Sequence, residues 1–145
     1  MHFKTYDAFS RLSLLQINKL TKFIHQYQLQ NDFTEQGIRR SIEYAAKERP
    51  GFGGLIVTAE EGDEVIGAAV LNKTGFEGYL PENLVVSIAV HQNYKDDGVY
   101  RKIVDYVVNY CCGDIGVQLK ETNPLVRFFK NQGFTNNYIQ MNLKQ

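Results

Sequence analysis

Apolar residues fall at Leu14, Ile17, Leu20, Ile24 and Tyr27, three or four positions apart, which predicts an amphipathic helix from Ser10 to about Gln28. A second helix is predicted from Thr34 to about Lys47, with Thr34 as its N-cap and Gly37 weakening the first turn. Arg49-Pro50-Gly51-Phe52-Gly53-Gly54 breaks regular structure. Leu55 to Ala59 and Val65 to Leu71 are rich in β-formers and flank the polar run Glu60 to Glu64, the pattern of a hairpin. Phe3 to Tyr6 reads as a short first strand. A loop rich in glycine and aromatic residues follows from Asn72 to Asn83. Leu84 to Val90 is almost continuously apolar, interrupted only by Ser87, which suits a strand buried on both faces at the centre of a sheet.

Beyond Gly98 a helical stripe of Ile103, Val104, Val107 and Cys111 ends at Gly113. Ile115, Val117 and Leu119 alternate with polar or small residues, predicting a strand over Asp114 to Lys120. A last helix spans about Pro124 to Gln132, with proline in its first turn and Gly133 beyond its end. Ile139, Met141 and Leu143 alternate in a final strand. The predicted order is β-α-α-β-β-β-α-β-α-β. The strand–helix–strand unit from Leu84 to Lys120 implies a parallel crossover, whereas the hairpin is antiparallel. The fold class is therefore α/β, a mixed sheet with helices on its faces.

At 145 residues the chain has the size of one domain, expected over 1–145, large enough to hold a core without disulfides or metal. Lys plus Arg and Asp plus Glu each number 16, so no basic excess points to nucleic acid or to anionic lipid. No stretch approaches the ~20 apolar residues of a membrane helix. The first residues, MHFKTYDAFSR, lack the apolar run of a signal peptide, and a cytoplasmic location is expected. Cys111 and Cys112 are adjacent and read as reduced thiols at a helix end. His2, His25 and His91 are scattered with no Cys-x-x-Cys, so no metal site is expected. Gly51-Phe52-Gly53-Gly54 lacks the Lys-Ser/Thr of a P-loop, and no Gly-x-Ser-x-Gly elbow occurs.

Two segments carry more. Ser87-Ile88-Ala89-Val90-His91-Gln92-Asn93-Tyr94-Lys95-Asp96-Asp97-Gly98-Val99-Tyr100-Arg101-Lys102-Ile103 resembles the acyl-CoA motif of the GNAT superfamily of N-acyltransferases. Asn123-Pro124-Leu125-Val126-Arg127-Phe128-Phe129-Lys130-Asn131-Gln132-Gly133-Phe134 resembles the family's Asn-x(several)-Phe-Tyr-x-x-x-Gly-Phe segment. Tyr138 to Leu143 looks like the closing strand. The element order matches from Leu55 onward, and the first helices fit the variable helical pair.

The resemblance implies an acetyl-CoA-dependent N-acetyltransferase acting on a primary amine of a small molecule or peptide. It implies that Lys95, Asp97, Gly98, Val99, Tyr100 and Arg101 hold the pyrophosphate through backbone amides. Ile88 and Val90 would pair with the pantetheine, and Asn123 and Phe129 would lie beside the thioester. A strand running into a helix makes physical sense of this, because unpaired N–H groups and the helix dipole meet an anion there. Four features depart from the family pattern. Asp96 takes the first glycine position, with Asp97 beside it; Tyr100 takes the last Gly/Ala position; Phe129 stands where many members have tyrosine; and Asn123 lies one residue closer to Phe129.

Asp96 and Asp97 read either as helix caps or as charges that weaken CoA binding. Phe129 also lies on an apolar stripe with Leu125 and Phe128, as a core residue would. Glu77, Glu82 and Glu121 are candidate bases for the amine, and Tyr100 and Tyr138 offer hydroxyls. His91 reads as structural, and His25 as a surface or satisfied histidine. A second reading is a CoA- or partner-binding module of the same fold with weak or no catalysis. The acceptor, and whether the chain forms a homodimer, stay open at this level.

Overall fold

The computed structural model describes residues 1–145, apart from the side chain of Asn31. The elements are β1 His2–Tyr6, α1 Leu14–Tyr27, α2 Glu35–Ala45, β2 Gly54–Glu61, β3 Glu64–Lys73, β4 Asn83–Val90, α3 Val99–Tyr110, β5 Ile115–Val117 and α4 Leu125–Asn131. Short 3-10 turns occupy Leu29–Asn31 and Gln92–Tyr94. The strands form one mixed sheet in the order β1-β2-β3-β4-β5. The first four are mutually antiparallel, and β5 joins β4 in parallel. The α/β architecture expected from the pattern is the one observed.

Local chemistry sets the helix starts. Ser13 and Gln16 form a capping box: the Gln16 N–H donates to Ser13 Oγ at 3.2 Å, and the Ser13 N–H donates to Gln16 Oε1 at 2.8 Å. The first helix therefore begins at Leu14, not Ser10, and Leu14 itself is 67% exposed. Thr34 caps α2 as expected, accepting from the Gly37 N–H at 3.0 Å.

The sheet's two faces bury different residues, as a period of two requires. Ile56, Ala68, Val70 and Ala89 pack against Ile17, Leu20, Ile24, Ile38 and Ile42 of α1 and α2. Leu55, Val57, Ala69, Leu71, Val85, Ile88 and Val90 pack against α3 and α4 through Ile103, Val107, Leu125 and Phe129.

Three expectations are corrected. The strand ending at Val90 is not central: β3 holds the middle of the sheet, and β4 has β5 beside it over only three residue pairs. The strand expected over Asp114 to Lys120 is shortened to Ile115–Val117. The final strand does not form: residues 135–145 carry no regular structure, and Ile139, Met141 and Leu143 are 85–89% exposed. Because β5 ends at Val117, no edge long enough to pair the alternating tail exists beside it. Gln118 Nε2 donating to Gln140 Oε1 at 2.6 Å is the side-chain hydrogen bond that joins the two.

Candidate active site

The chain leaves β4 at Val90 and enters α3 at Val99 through one compact turn. His91 opens it, its Nδ1 accepting from the Asn93 N–H at 3.1 Å while its ring packs 4.6 Å from that of Tyr27. The histidine is thus structural. Gly98 is the N-cap of α3 in the left-handed region, φ 74°, a conformation that favours glycine, and nothing lies within 4 Å of where a Cβ would stand. The first intrahelical bond runs from the Lys102 N–H to the Gly98 carbonyl at 3.1 Å. The N–H groups of Val99, Tyr100 and Arg101 precede it, and no side chain caps them. The capping role read for Asp96 and Asp97 is therefore corrected: Gly98 takes the cap position, and both aspartates lie exposed on the preceding turn. Lys95 is exposed there too, and Arg101 pairs loosely with Asp105 at 3.9 Å. This uncapped helix start offers an anionic diphosphate free N–H groups and clearance, with Asp96 and Asp97 as opposing charges on the turn before it.

Beside the turn, β4 is bent. Val70 opposes Ser87 and Leu71 opposes Val85, so Val86 is an extra residue, a β-bulge. It explains why Val85 and Ile88 share a face despite their odd spacing. Beyond the Val85–Val117 pair, β4 and the chain after β5 separate, leaving residues 86–90 unpaired on that side. A shallow recess, open to solvent, occupies the gap. Its walls include Ser87 and Ile88 of β4, Gln118 and Asn123 beyond β5, and Ile24, Gln28 and Asp32 from the first helical region.

Asn123 organises this recess. It is 5% exposed; its Oδ1 accepts from the Leu125 N–H at 2.9 Å, and its Nδ2 donates to Asp32 Oδ2 at 2.7 Å. Gln30 and Thr122 add two further bonds of 2.6 and 3.0 Å. The connection between α1 and α2 is thereby strapped to the loop before α4, across one mouth of the cleft. Sequence reasoning missed Asp32. An aspartate just ahead of a helix cap looks like an ordinary turn residue, and its partner is 91 positions away.

The remaining candidates disperse. Glu82 accepts from the Asp114 N–H at 2.5 Å, tying the loop before β5 to the start of β4, away from the recess. Glu77 and Glu121 are exposed, and Tyr138 is 89% exposed in the tail. Phe129 is 2% exposed, its ring in edge contact with Phe128 and Phe134. It lines a second, apolar cavity with Ile103 and Val107, behind the sheet from α1. Among the described residues no group of three or more His, Cys, Asp or Glu could hold a metal ion, and no helix is long and apolar enough to cross a membrane.

Tyr100, at the family's Gly/Ala position, turns its ring inward onto Phe128, centroids 5.9 Å apart, and leaves the turn uncovered. Its hydroxyl makes no hydrogen bond of ordinary geometry. Burial pushes its pKa from 10.0 to about 12, and the Val90 backbone offsets this only in part. A raised pKa means that the folded state holds the proton more tightly than the unfolded one. That contribution to stability is complete below pH 10.0 and is lost as pH rises toward about 12. Denaturant melts at the two ends of this window should show a steeper alkaline loss for the wild type than for Tyr100→Phe. Identical losses would place the phenol in water.

The model of the GNAT acetyltransferase domain matches residues 52–136. No curated protein sequence matches the chain significantly. The fold is shared with the aminoglycoside N-acetyltransferase AAC(6')-Iy in complex with CoA, at 11% identity and TM-score 0.67, covering 99% of this chain and 95% of that one. A ribosomal-protein-alanine N-acetyltransferase from Brucella melitensis biovar Abortus 2308 aligns at 10% identity and TM-score 0.67, over 99% and 98% of the two chains. The ribosomal-protein-S18-alanine N-acetyltransferase from Escherichia coli aligns at 12% identity and TM-score 0.67, over 94% and 80%. At such identities the likeness is one of fold, whereas the domain match covers more than half of the sequence, from the hairpin through both motifs: the chain belongs to the GNAT acetyltransferase family.

Proposed function

We propose that this chain, acting as one domain over residues 1–145, is an N-acetyltransferase that moves an acetyl group from acetyl-CoA to a primary amine. The observation that carries the reading is an unpaired β4 edge over residues 86–90, flanked by an open recess beside residues 85–88 and leading into an uncapped helix start at Gly98. Acetyl-CoA supplies a thioester whose carbonyl carbon takes the nitrogen of the neutral amine, while the C–S bond breaks, CoA leaves as the thiolate, and the nitrogen gives up one proton, through water, to that thiolate.

The chain's own part is to bind and orient. Backbone groups of Ile88 and Val90 offer the free β4 edge to the pantetheine as if it were another strand. Amides of Lys95, Gly98, Val99, Tyr100 and Arg101 meet the pyrophosphate, whereas the Asp97 N–H, expected to join them, donates to the Tyr94 carbonyl at 3.1 Å. Asn123, held by Asp32 and by the start of α4, stands at the recess end of that path. No protein nucleophile is needed. Acetyl-CoA at a hundred times its dissociation constant should stabilise the fold by ~2.7 kcal/mol. No thermal shift at millimolar acetyl-CoA would refute the reading.

A second reading, a CoA-binding module with little catalysis, is favoured by Phe129 standing where many members carry a phenol. A thiolate of ordinary pKa near 8.5 can depart without full protonation, so absence of the acid slows the step without forbidding it. Because Phe129 is packed against two other rings, Phe129→Tyr should leave the new hydroxyl unpartnered and cost about 1–3 kcal/mol. The melting temperature should fall with no gain in thiol release. A faster enzyme of unchanged stability would put the ring edge at the sulfur instead.

A further inference from the structure

Asp32 is the one carboxylate that lines the recess. Its side chain is 9% exposed, a degree of burial that an ionised group tolerates only with partners. Oδ2 has one, the Asn123 amide at 2.7 Å. Oδ1 is buried and has no hydrogen-bond partner among the described residues. The charge near it is the Lys120 ammonium, 3.7 Å away, beyond hydrogen-bond range, on a side chain that is itself 61% exposed. A buried acceptor with an unused lone pair, on the wall of an open recess and shadowed by a mobile-stemmed cation, has the chemistry of a seat for an ammonium group.

We infer that Asp32 Oδ1 is the cation-recognition point of the acceptor pocket, and that Lys120 is its internal competitor, displaced when a cationic amine enters. The acceptor is then a protonated aliphatic amine, with its ammonium or a second ammonium on Asp32 and its apolar part along Ile24 and Leu29. Assigning this cation to the acceptor rests on the acetyl-transfer reading, whereas the seat itself does not. The strap explains why the carboxylate is so well fixed. Asn123 holds one oxygen, and two residues earlier the Gln30 side chain bonds the Thr122 carbonyl and hydroxyl, so the segment that carries Oδ1 is tied to the loop before α4.

The test uses the Asn123 side-chain amide, which donates to the same carboxylate, as an NMR reporter in the whole protein. n-Butylammonium chloride is titrated at constant ionic strength, with n-butanol as the neutral control. A saturable shift with the ammonium alone is expected. Asp32→Asn keeps the shape and the bond to Asn123 but removes the charge, and should weaken ammonium binding about 10- to 100-fold, the range for a charge-assisted hydrogen bond. Lys120→Met removes the competitor and should tighten it severalfold, and this variant decides the matter even if Asp32→Asn folds poorly. Equal shifts with butanol, undiminished binding in Asp32→Asn, or unchanged or weaker binding in Lys120→Met would overturn the inference. Calorimetry with acetyl-CoA on the same samples separates the two readings. Ammonium binding without acetyl-CoA binding leaves the seat standing and sinks the transferase, and acetyl-CoA binding without an ammonium-specific shift does the reverse.

Discussion

Asn123→Ala should lower the stability of the fold by about 2–4 kcal/mol, an unusually large loss for removing a side chain from a loop. Two effects combine. The Leu125 N–H at the start of α4 loses its acceptor, and the Asp32 carboxylate, already without a hydrogen bond on Oδ1, loses the one on Oδ2. Removing the neutral donor leaves a buried charged acceptor unsatisfied, which costs more than the hydrogen bond itself contributes. The companion variant Asp32→Ala removes that charge, so the double variant should be more stable than the sum of the single losses implies. A double-mutant cycle should give a coupling of about 1–3 kcal/mol, as expected for contacting groups. Additive losses would show that the strap contributes nothing through this bond. Thiol release should fall in all three variants, because Asn123 and Asp32 both line the recess.

Ile24→Ala should cost about 2–5 kcal/mol, the range for cutting a buried branched side chain back to a methyl. Ile24 is fully buried between α1 and the sheet, yet it also forms part of the recess wall. The cavity left behind therefore opens toward the cleft instead of being sealed in the core. If the recess receives the reacting end of acyl-CoA, the ratio of thiol release from butyryl-CoA to that from acetyl-CoA should rise, even as the melting temperature falls. A lower melting temperature with an unchanged ratio would assign Ile24 to packing alone.

Much of the frame was legible in the chain because its signals are local. The Thr34 cap, the hairpin around Gly62, the stripe of α3 and the Gly133 stop each depend on residues within a few positions of one another. Ser13 and Gln16 carried a readable capping box that places the helix start at Leu14, four residues later than Ser10. What stayed hidden depends on pairing across the sheet. The bulge at Val86 exists only in relation to Val70 and Leu71, and nothing in the run from Leu84 to Val90 marks it. The tail from Tyr138 to Leu143 has strand periodicity, but alternation supplies a face and not an edge, and β5 ends too soon to offer one.

The candidate site divides in the same way. The turn from Lys95 to Arg101 was found from its motif, since a strand, a glycine and a helix in succession fix the geometry locally. The Asp96 and Asp97 capping expectation failed because a left-handed Gly98 intervenes, so neither aspartate occupies the cap. Glu82, Glu121 and Tyr138 were singled out by residue type and by nearness to strand ends. Of these, Glu82 serves a loop at the wrong end of β4, while Glu121 and Tyr138 face solvent. Asp32 went unnoticed, for the opposite reason: its meaning comes from burial and from Asn123, neither of which a single sequence displays.

The central claim is acetyl transfer from acetyl-CoA to an amine, and one measurement addresses it directly. The purified chain is incubated with acetyl-CoA and a panel of primary aliphatic amines, following free thiol and the mass of each amine together. Thiol release above the amine-free blank is expected for at least one amine, matched mole for mole by a product heavier by one acetyl group, and reduced in Asn123→Ala. Thiol release that never exceeds the blank, or that appears without any acetylated amine, would contradict it.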